Sequence, residues 1–213
     1  MHLSLRLLLL MLAAGAFAAL LVLQIRRDER HPFVMAALSF LLVAGGMAEY
    51  RAQSAERAFS RVASAVAQRD VSVRCQGILS KMVDISNELG SVWFDEDGEP
   101  ADKTDIKRDA CNWAKEYAGG ERRITTANAL GIHVIAHESI HLRGEMNEAV
   151  TECYGMQYSA QVAEALGATP MQAQQLAEFY WDTVYPSMPA DYTTQDCVNG
   201  GPLDLRPESD VWP

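Results

Sequence analysis

From His133 to Cys153 the chain reads HVIAHESIHLRGEMNEAVTEC, and the rest of the sequence is organised around that run as anchor and scaffold. It holds HExxH as His137, Glu138, Ser139, Ile140 and His141. On a helix, residues four apart lie one above the other, so His137 and His141 present two imidazoles from one face to a single divalent ion. Glu138, one step round the helix, is placed to act on a water held by that ion. Gly144 reads as the stop of this helix, because glycine enters the left-handed C′ conformation at little steric cost. Asn147 reads as the N-cap of a second helix that opens with Glu148. A tight turn between the two helices returns Glu148 to the ion as third ligand, with Glu152 one turn further along the same face.

HExxH followed by Asn147, Glu148 and Glu152 resembles the gluzincin metallopeptidases, the thermolysin-like family. The resemblance implies one zinc ion bound by His137, His141 and Glu148, with Glu152 orienting His137 from behind, as ligating histidines commonly hand their other N–H to a carboxylate. It also implies a compact zincin-like domain. It covers about 20 residues, those around the motif itself. One departure matters: only six residues separate His141 from Glu148, far fewer than in thermolysin, so the second helix must turn back at once. The spacing is also similar to the metzincin pattern HExxHxxGxxH/D, whose register would make Asn147, a poor zinc ligand, the third donor. Glu145 and Glu152 remain alternative ligands if the turn is shaped otherwise.

His133 lies four residues before His137 on the same face. A straight helix places residues 133 and 141 about 12 Å apart along its axis, whereas zinc bonds are about 2 Å long. Three histidines so spaced cannot share one ion, and His133 is expected in the pocket wall or behind the ligands.

The 213 residues allow one ordinary domain plus anchors. From residue 49 onward there are 14 Lys and Arg against 26 Asp and Glu, a net of −12. Nucleic acid and anionic lipid headgroups are poor partners for such a surface. Cys75, Cys111, Cys153 and Cys197 form no CxxC pair, so this even, scattered set favours two disulfides and an oxidising compartment. Spacing does not dictate the pairing; Cys75 with Cys111 and Cys153 with Cys197 is expected, the second tying the C-terminal tail to the glutamate helix.

Residues 7–25 contain only Gln24 as a strongly polar position, and a second apolar run covers Pro32 to Met47. Read against the roughly 20 residues that a bilayer requires, they suggest two transmembrane helices joined by the short linker RRDERH. A cleaved signal peptide ending near Ala16-Phe17-Ala18 is the rival reading. Arginines on both sides of the runs leave orientation open, and cysteine usage turns it towards an extracytoplasmic domain in a multi-pass cell-membrane protein. The domains so read are 1–48, two membrane helices; 49–70, a juxtamembrane helix with Ala55, Phe59, Val62 and Val66 on one face; and 71–213, the metallopeptidase domain.

Within that domain VSVRC reads as a strand, Ile78 to Leu89 as a helix, and SVWFD as a strand followed by an Asp97-Gly98 turn. Residues 103–118 read as a helix broken by Gly119-Gly120, and ERRIT as a strand. The HExxH helix then starts at a cap among Thr125, Thr126 and Asn128. The glutamate helix runs from Asn147 to Leu166, and Thr169-Pro170 starts a last helix reaching about Tyr185. Tyr154, Tyr158, Tyr180 and Tyr185 are candidates for a phenol near the reaction, each better explained by core packing. The expected fold is therefore α+β, mostly helical, with a small sheet. The expected activity is zinc-dependent peptide hydrolysis with Glu138 as general base, acting on a peptide or protein substrate, with the bilayer as a second partner and no nucleic acid. The rivals are a zinc-stabilised, non-catalytic interaction module at the membrane surface and a hydrolase of non-peptide amides.

Overall fold

The computed structural model describes residues 5–26, 32–77, 88–120 and 122–213. It divides into two units, Met1–Ala55 and Glu56–Pro213. The first holds α1 (Leu5–Arg26) and the N-terminal part of α2 (Pro32–Ala67). Among the described residues no helix is long and apolar enough to cross a membrane. This overturns the expected transmembrane hairpin, and with it the placement as a multi-pass cell-membrane protein. The physical reason lies in side-chain size and in charge. The middle of α1, Ala13 to Ala19, is six small residues around Phe17, and small side chains add little transfer energy per residue. After Met47 the sequence of α2 turns polar, with Glu49 and Arg51 in the next turn. The expected linker residues 27–31 lie outside the described residues.

In the second unit the end of α2 buries Phe59, Val62, Ala63 and Val66, as its apolar face requires. Its polar residues hold the first strand: Val73 N–H donates to Ser60 Oγ at 2.9 Å and Cys75 N–H to Glu56 Oε1 at 2.9 Å. The sheet has three strands, β1 (Ser72–Cys75), β2 (Gly90–Phe94) and β3 (Pro100–Ile106), in the order β1-β3-β2. β1 runs parallel to β3 and β2 antiparallel to it, so that Thr104 stands opposite both Val73 and Val92.

The central strand β3 was expected as the start of a helix over 103–118. Burial at Thr104 and Ile106, with Lys103 exposed, shows the period of two that a half-buried strand requires. Helix begins only at α3 (Arg108–Ala118), which buries Ala110, Cys111, Ala114 and Tyr117. The expected strand over ERRIT is also corrected: residues 122–125 are irregular, and Thr125 caps the next helix. The acidic turn after β2 is organised by Asp95, whose carboxylate accepts from the N–H groups of Asp97 and Glu99. Residues 78–87 of the expected helix 78–89 lie outside the described residues.

α4 (Thr126–Leu142) is the axis of the unit. Every residue from Gly131 to Leu142 is buried, because α3, α5 (Glu148–Ala165), α6 (Pro170–Phe179), β2 and β3 all pack on it. Two glycines permit this density. A Cβ at Gly131 would stand 2.6 Å from the backbone nitrogen of Ala114, and one at Gly155 would stand 2.9 Å from the Cα of His137. α5 therefore crosses α4 at the histidine of the motif. Thr169 and Gln172 form a reciprocal capping box on α6.

The last helix leaves α geometry after Phe179. Tyr180–Val184 is a π-helical turn, followed by 3-10 turns at Tyr185–Ser187 and Ala190–Tyr192. The tail beyond is held by the Cys153–Cys197 disulfide and by Gln157, which donates to Leu203 O at 2.9 Å and accepts from Leu205 N–H at 2.8 Å. Cys75–Cys111 is the second disulfide. Both pairings are those expected.

Candidate metal centre

The site is built on a helix–turn–helix whose turn is closed by backbone bonds. Gly144, at φ 111°, follows the C-cap Arg143. Gly144 N–H donates to His141 O at 2.9 Å and Glu145 N–H to Ile140 O at 3.3 Å. This is the Schellman closure, which satisfies the last carbonyls of a helix. Three residues later Asn147 caps α5, its side chain accepting from Val150 N–H at 3.0 Å. The chain reverses within Arg143 to Asn147, and Glu148 comes back over the imidazoles.

Three atoms then face one another. His137 Nε2 and His141 Nε2 are 3.1 Å apart, and Glu148 Oε2 is 3.2 Å from the first and 3.3 Å from the second. Bonds of about 2.0 Å to a tetrahedral ion imply ligand separations of about 3.3 Å. The triangle thus has the size that such an ion requires. Glu148 Oε2 is buried and faces only these two imidazole nitrogens among the described residues, an arrangement that needs a cation or a proton at its centre.

The other imidazole nitrogens are fixed by acceptors. His141 Nδ1 lies 2.7 Å from Glu145 O and His137 Nδ1 3.0 Å from Glu152 Oε2. In the neutral ring, an Nδ1–H so engaged would leave Nε2 with its lone pair towards the centre of the triangle. Glu152, 1% exposed, is further bonded by His133 Nε2 at 2.9 Å and by the Tyr180 hydroxyl at 2.5 Å. His133 stacks on Tyr180, with ring centroids 3.9 Å apart, and its Nδ1 meets Ser159 Oγ at 3.2 Å.

Two groups among the described residues could hold a metal ion: His137, His141 and Glu148, and the buried set His133, His137 and Glu152. The second is already satisfied as a carboxylate with three donors. The first presents three acceptor atoms to one point, and only a cation or a proton resolves that.

Glu138 is 3% exposed and stands one step round α4 from His137, lining the same cavity. The Thr104 hydroxyl reaches its Oε2 at 3.2 Å while sharing its proton with Ser91 O at 2.9 Å. Gly90 leaves room for the carboxylate: a Cβ there would meet Glu138 Oε1 at 2.5 Å. Burial pushes the Glu138 carboxyl above its ordinary range, while His137, His141 and Thr104 pull it down. Burial opposes a charge on His137, but contact with Glu148 and Glu152 and the field of Glu138 outweigh it and hold its pKa up at about 10. The facing imidazoles of His137 and His141 hold Glu148 down at about 2, against the effect of its partial burial.

These side chains line a cavity of about 780 Å³. One wall is β2, with Val92 and Phe94; the other is the segment Met188 to Tyr192. Phe94 meets His141 edge-on at 6.2 Å, and Tyr192 lies over His137 at 5.9 Å.

No family model, curated protein or solved structure matches the chain. The chemistry of the site is therefore read from its geometry.

The structure brings His137, His141, Glu148, Glu138, Glu152 and His133 into one cluster around the cavity. Glu145 turns away from the triangle: its Oε1 accepts from Asn147 N–H. Of the four tyrosines named from sequence, Tyr180 reaches the cluster, while the Tyr185 hydroxyl engages Thr194 in the tail. Thr104, Gly90, Gly155 and Tyr192 were not singled out. Thr104 was hidden by the helix reading of β3, although Pro100 and the alternation of Thr104 with Ile106 were available signals. Tyr192 sits in a Pro-punctuated tail whose spacing carries no period.

Proposed function

We propose that the chain is a zinc-dependent metallopeptidase with a gluzincin-like site, hydrolysing peptide bonds of a peptide or protein substrate in the cavity between β2 and Met188–Tyr192. The observation that carries this reading is the triangle of His137 Nε2, His141 Nε2 and Glu148 Oε2, with sides of 3.1, 3.2 and 3.3 Å. These residues would hold the ion; nitrogen and carboxylate donors in this number are the set that zinc takes in catalytic sites. When bound there, zinc polarises a carbonyl and lowers the pKa of a bound water to about 7.

Glu138 supplies the proton transfer. It lines the cavity, and its burial raises its basicity towards the range in which a carboxylate accepts a proton at neutral pH. It takes the proton of the attacking water and returns it to the leaving nitrogen, so the peptide C–N bond breaks with no net proton change. Thr104 keeps that carboxylate directed, and Glu152 holds His137. The apolar side chains of Val92, Phe94 and Tyr192 line the cavity walls beside the reacting groups. The two disulfides support a working place in an oxidising compartment.

The test is metal content and cleavage of a mixed peptide pool by the purified chain, beside Glu148→Ala and Glu138→Gln. Wild type should carry one zinc and cleave. Glu148→Ala should lose the metal, and Glu138→Gln should keep it while cleavage falls by about 10²–10⁴. A Glu138→Gln protein that cleaves like wild type would exclude this mechanism. Tight zinc binding with no cleavage in any variant would instead support a zinc-stabilised interaction module.

A further inference from the structure

Helix α6 ends in a π-turn at Tyr180, where the α-helical hydrogen-bonding pattern gives way for one turn. Such turns recur where a side chain must be aimed at a functional site. Tyr180 is fully buried, and its hydroxyl donates to Glu152 Oε1. Glu152 Oε2 is bonded from the other side by His133 Nε2 and His137 Nδ1 at 2.9 and 3.0 Å. The Tyr180 ring in turn lies flat on His133, at 19° between planes. Three donors from α4 and the π-turn thus hold one carboxylate of α5. That carboxylate determines how the His137 ring is turned.

We propose that Tyr180 and His133 are positioning residues that set the affinity of the site for its metal by fixing Glu152 and, through it, the His137 ring. The inference rests on the metal reading of His137, His141 and Glu148. Neither residue touches the ion in this account. With both oxygens of Glu152 engaged, the carboxylate has no freedom to rotate, and His137 Nε2 is held at the corner of the triangle. Without the Tyr180 hydroxyl, Oε1 becomes a buried acceptor lacking a donor, and Glu152 turns to find another. His137 follows, because its Nδ1–H is engaged with Oε2 of that same group.

The experiment is zinc affinity of the full chain, measured by competition with a chelating dye, for wild type, Tyr180→Phe, His133→Leu and His133→Gln. Tyr180→Phe keeps the stacked ring and removes only the hydroxyl, and it should weaken zinc binding about 10- to 100-fold. His133→Leu should do the same. His133→Gln, whose amide N–H can replace Nε2–H, should return affinity to within about threefold of wild type. Thermal melting of the metal-free proteins identifies variants that fail to fold. Should Tyr180→Phe fold and bind zinc as wild type does, the inference is overturned and the metal reading stands. A wild-type chain that binds no zinc overturns both.

Discussion

Glu138 is the residue with the most opposing influences on it. Burial disfavours its charge, and Thr104 and the two histidines favour it. A hydrogen bond to a charged group contributes about 1.5–3 kcal/mol, and one pKa unit is about 1.4 kcal/mol. Thr104 divides its proton between Ser91 O and Glu138, and its deletion should shift the Glu138 pKa. The sign is upward, since the lost bond favours the ionised form. In Thr104→Val the acid limb of the pH–rate profile should therefore move to higher pH, with the metal content unchanged; a limb that stays in place excludes this role for Thr104. His137 makes a second prediction at this scale. With a pKa of about 10 in the metal-free site, it carries a proton at neutral pH that the proposed zinc ion would have to displace. Apparent zinc affinity should then rise about tenfold per pH unit between roughly pH 6 and 8, and calorimetry in buffers of different ionisation enthalpy should register one proton released.

At the scale of elements, the site depends on how closely α5 crosses α4. Gly155 lies against the backbone of His137, where a Cβ would be 2.9 Å from Cα and 3.0 Å from N. Backbone atoms cannot yield as a side-chain tip can. Gly155→Ala should destabilise the fold by about 1–3 kcal/mol in denaturant titrations and weaken zinc binding at the same time. Loss of stability without loss of affinity would mean that the helices separate elsewhere than at the site. The same elements show why part of the site was readable beforehand. His137, His141, Gly144, Asn147, Glu148 and Glu152 fall within sixteen residues, where helical period and capping chemistry are local rules. Their arrangement follows without knowledge of the rest of the chain. β3 did not follow, because its strand character comes from pairing with β1 and β2 and from burial of Thr104 against α4, and these are long-range facts. Lys103 to Lys107 read equally well as a helical turn when considered alone.

For the whole molecule, the tail closes the second unit. Cys197 is joined to Cys153 across a separation of 44 residues, and Gln157 holds the segment near Leu203 and Leu205. A chain-entropy account assigns such a closure about 4 kcal/mol. Cys197→Ser should lower stability by about 2–5 kcal/mol, seen as a reduced melting temperature. The disulfides form the expected pairs, although cysteine spacing alone left all three arrangements of four cysteines open. The membrane hairpin was not borne out: an apolar run in the sequence measures composition, whereas a crossing also depends on length and on how densely large apolar side chains are placed. Tyr192 could not be anticipated, as nothing in its neighbours reveals that the disulfide and Gln157 draw the tail back over α5.

The Schellman turn at Gly144 has one more consequence. All three facing donor atoms belong to residues 137–148, so the loop between them is short and its closure entropy small. The loop entropy that has to be overcome to bring the three donors together is therefore low. The donors thus meet through local chain reversal, while the apolar faces of the two helices still depend on α3, α6 and the sheet for their burial.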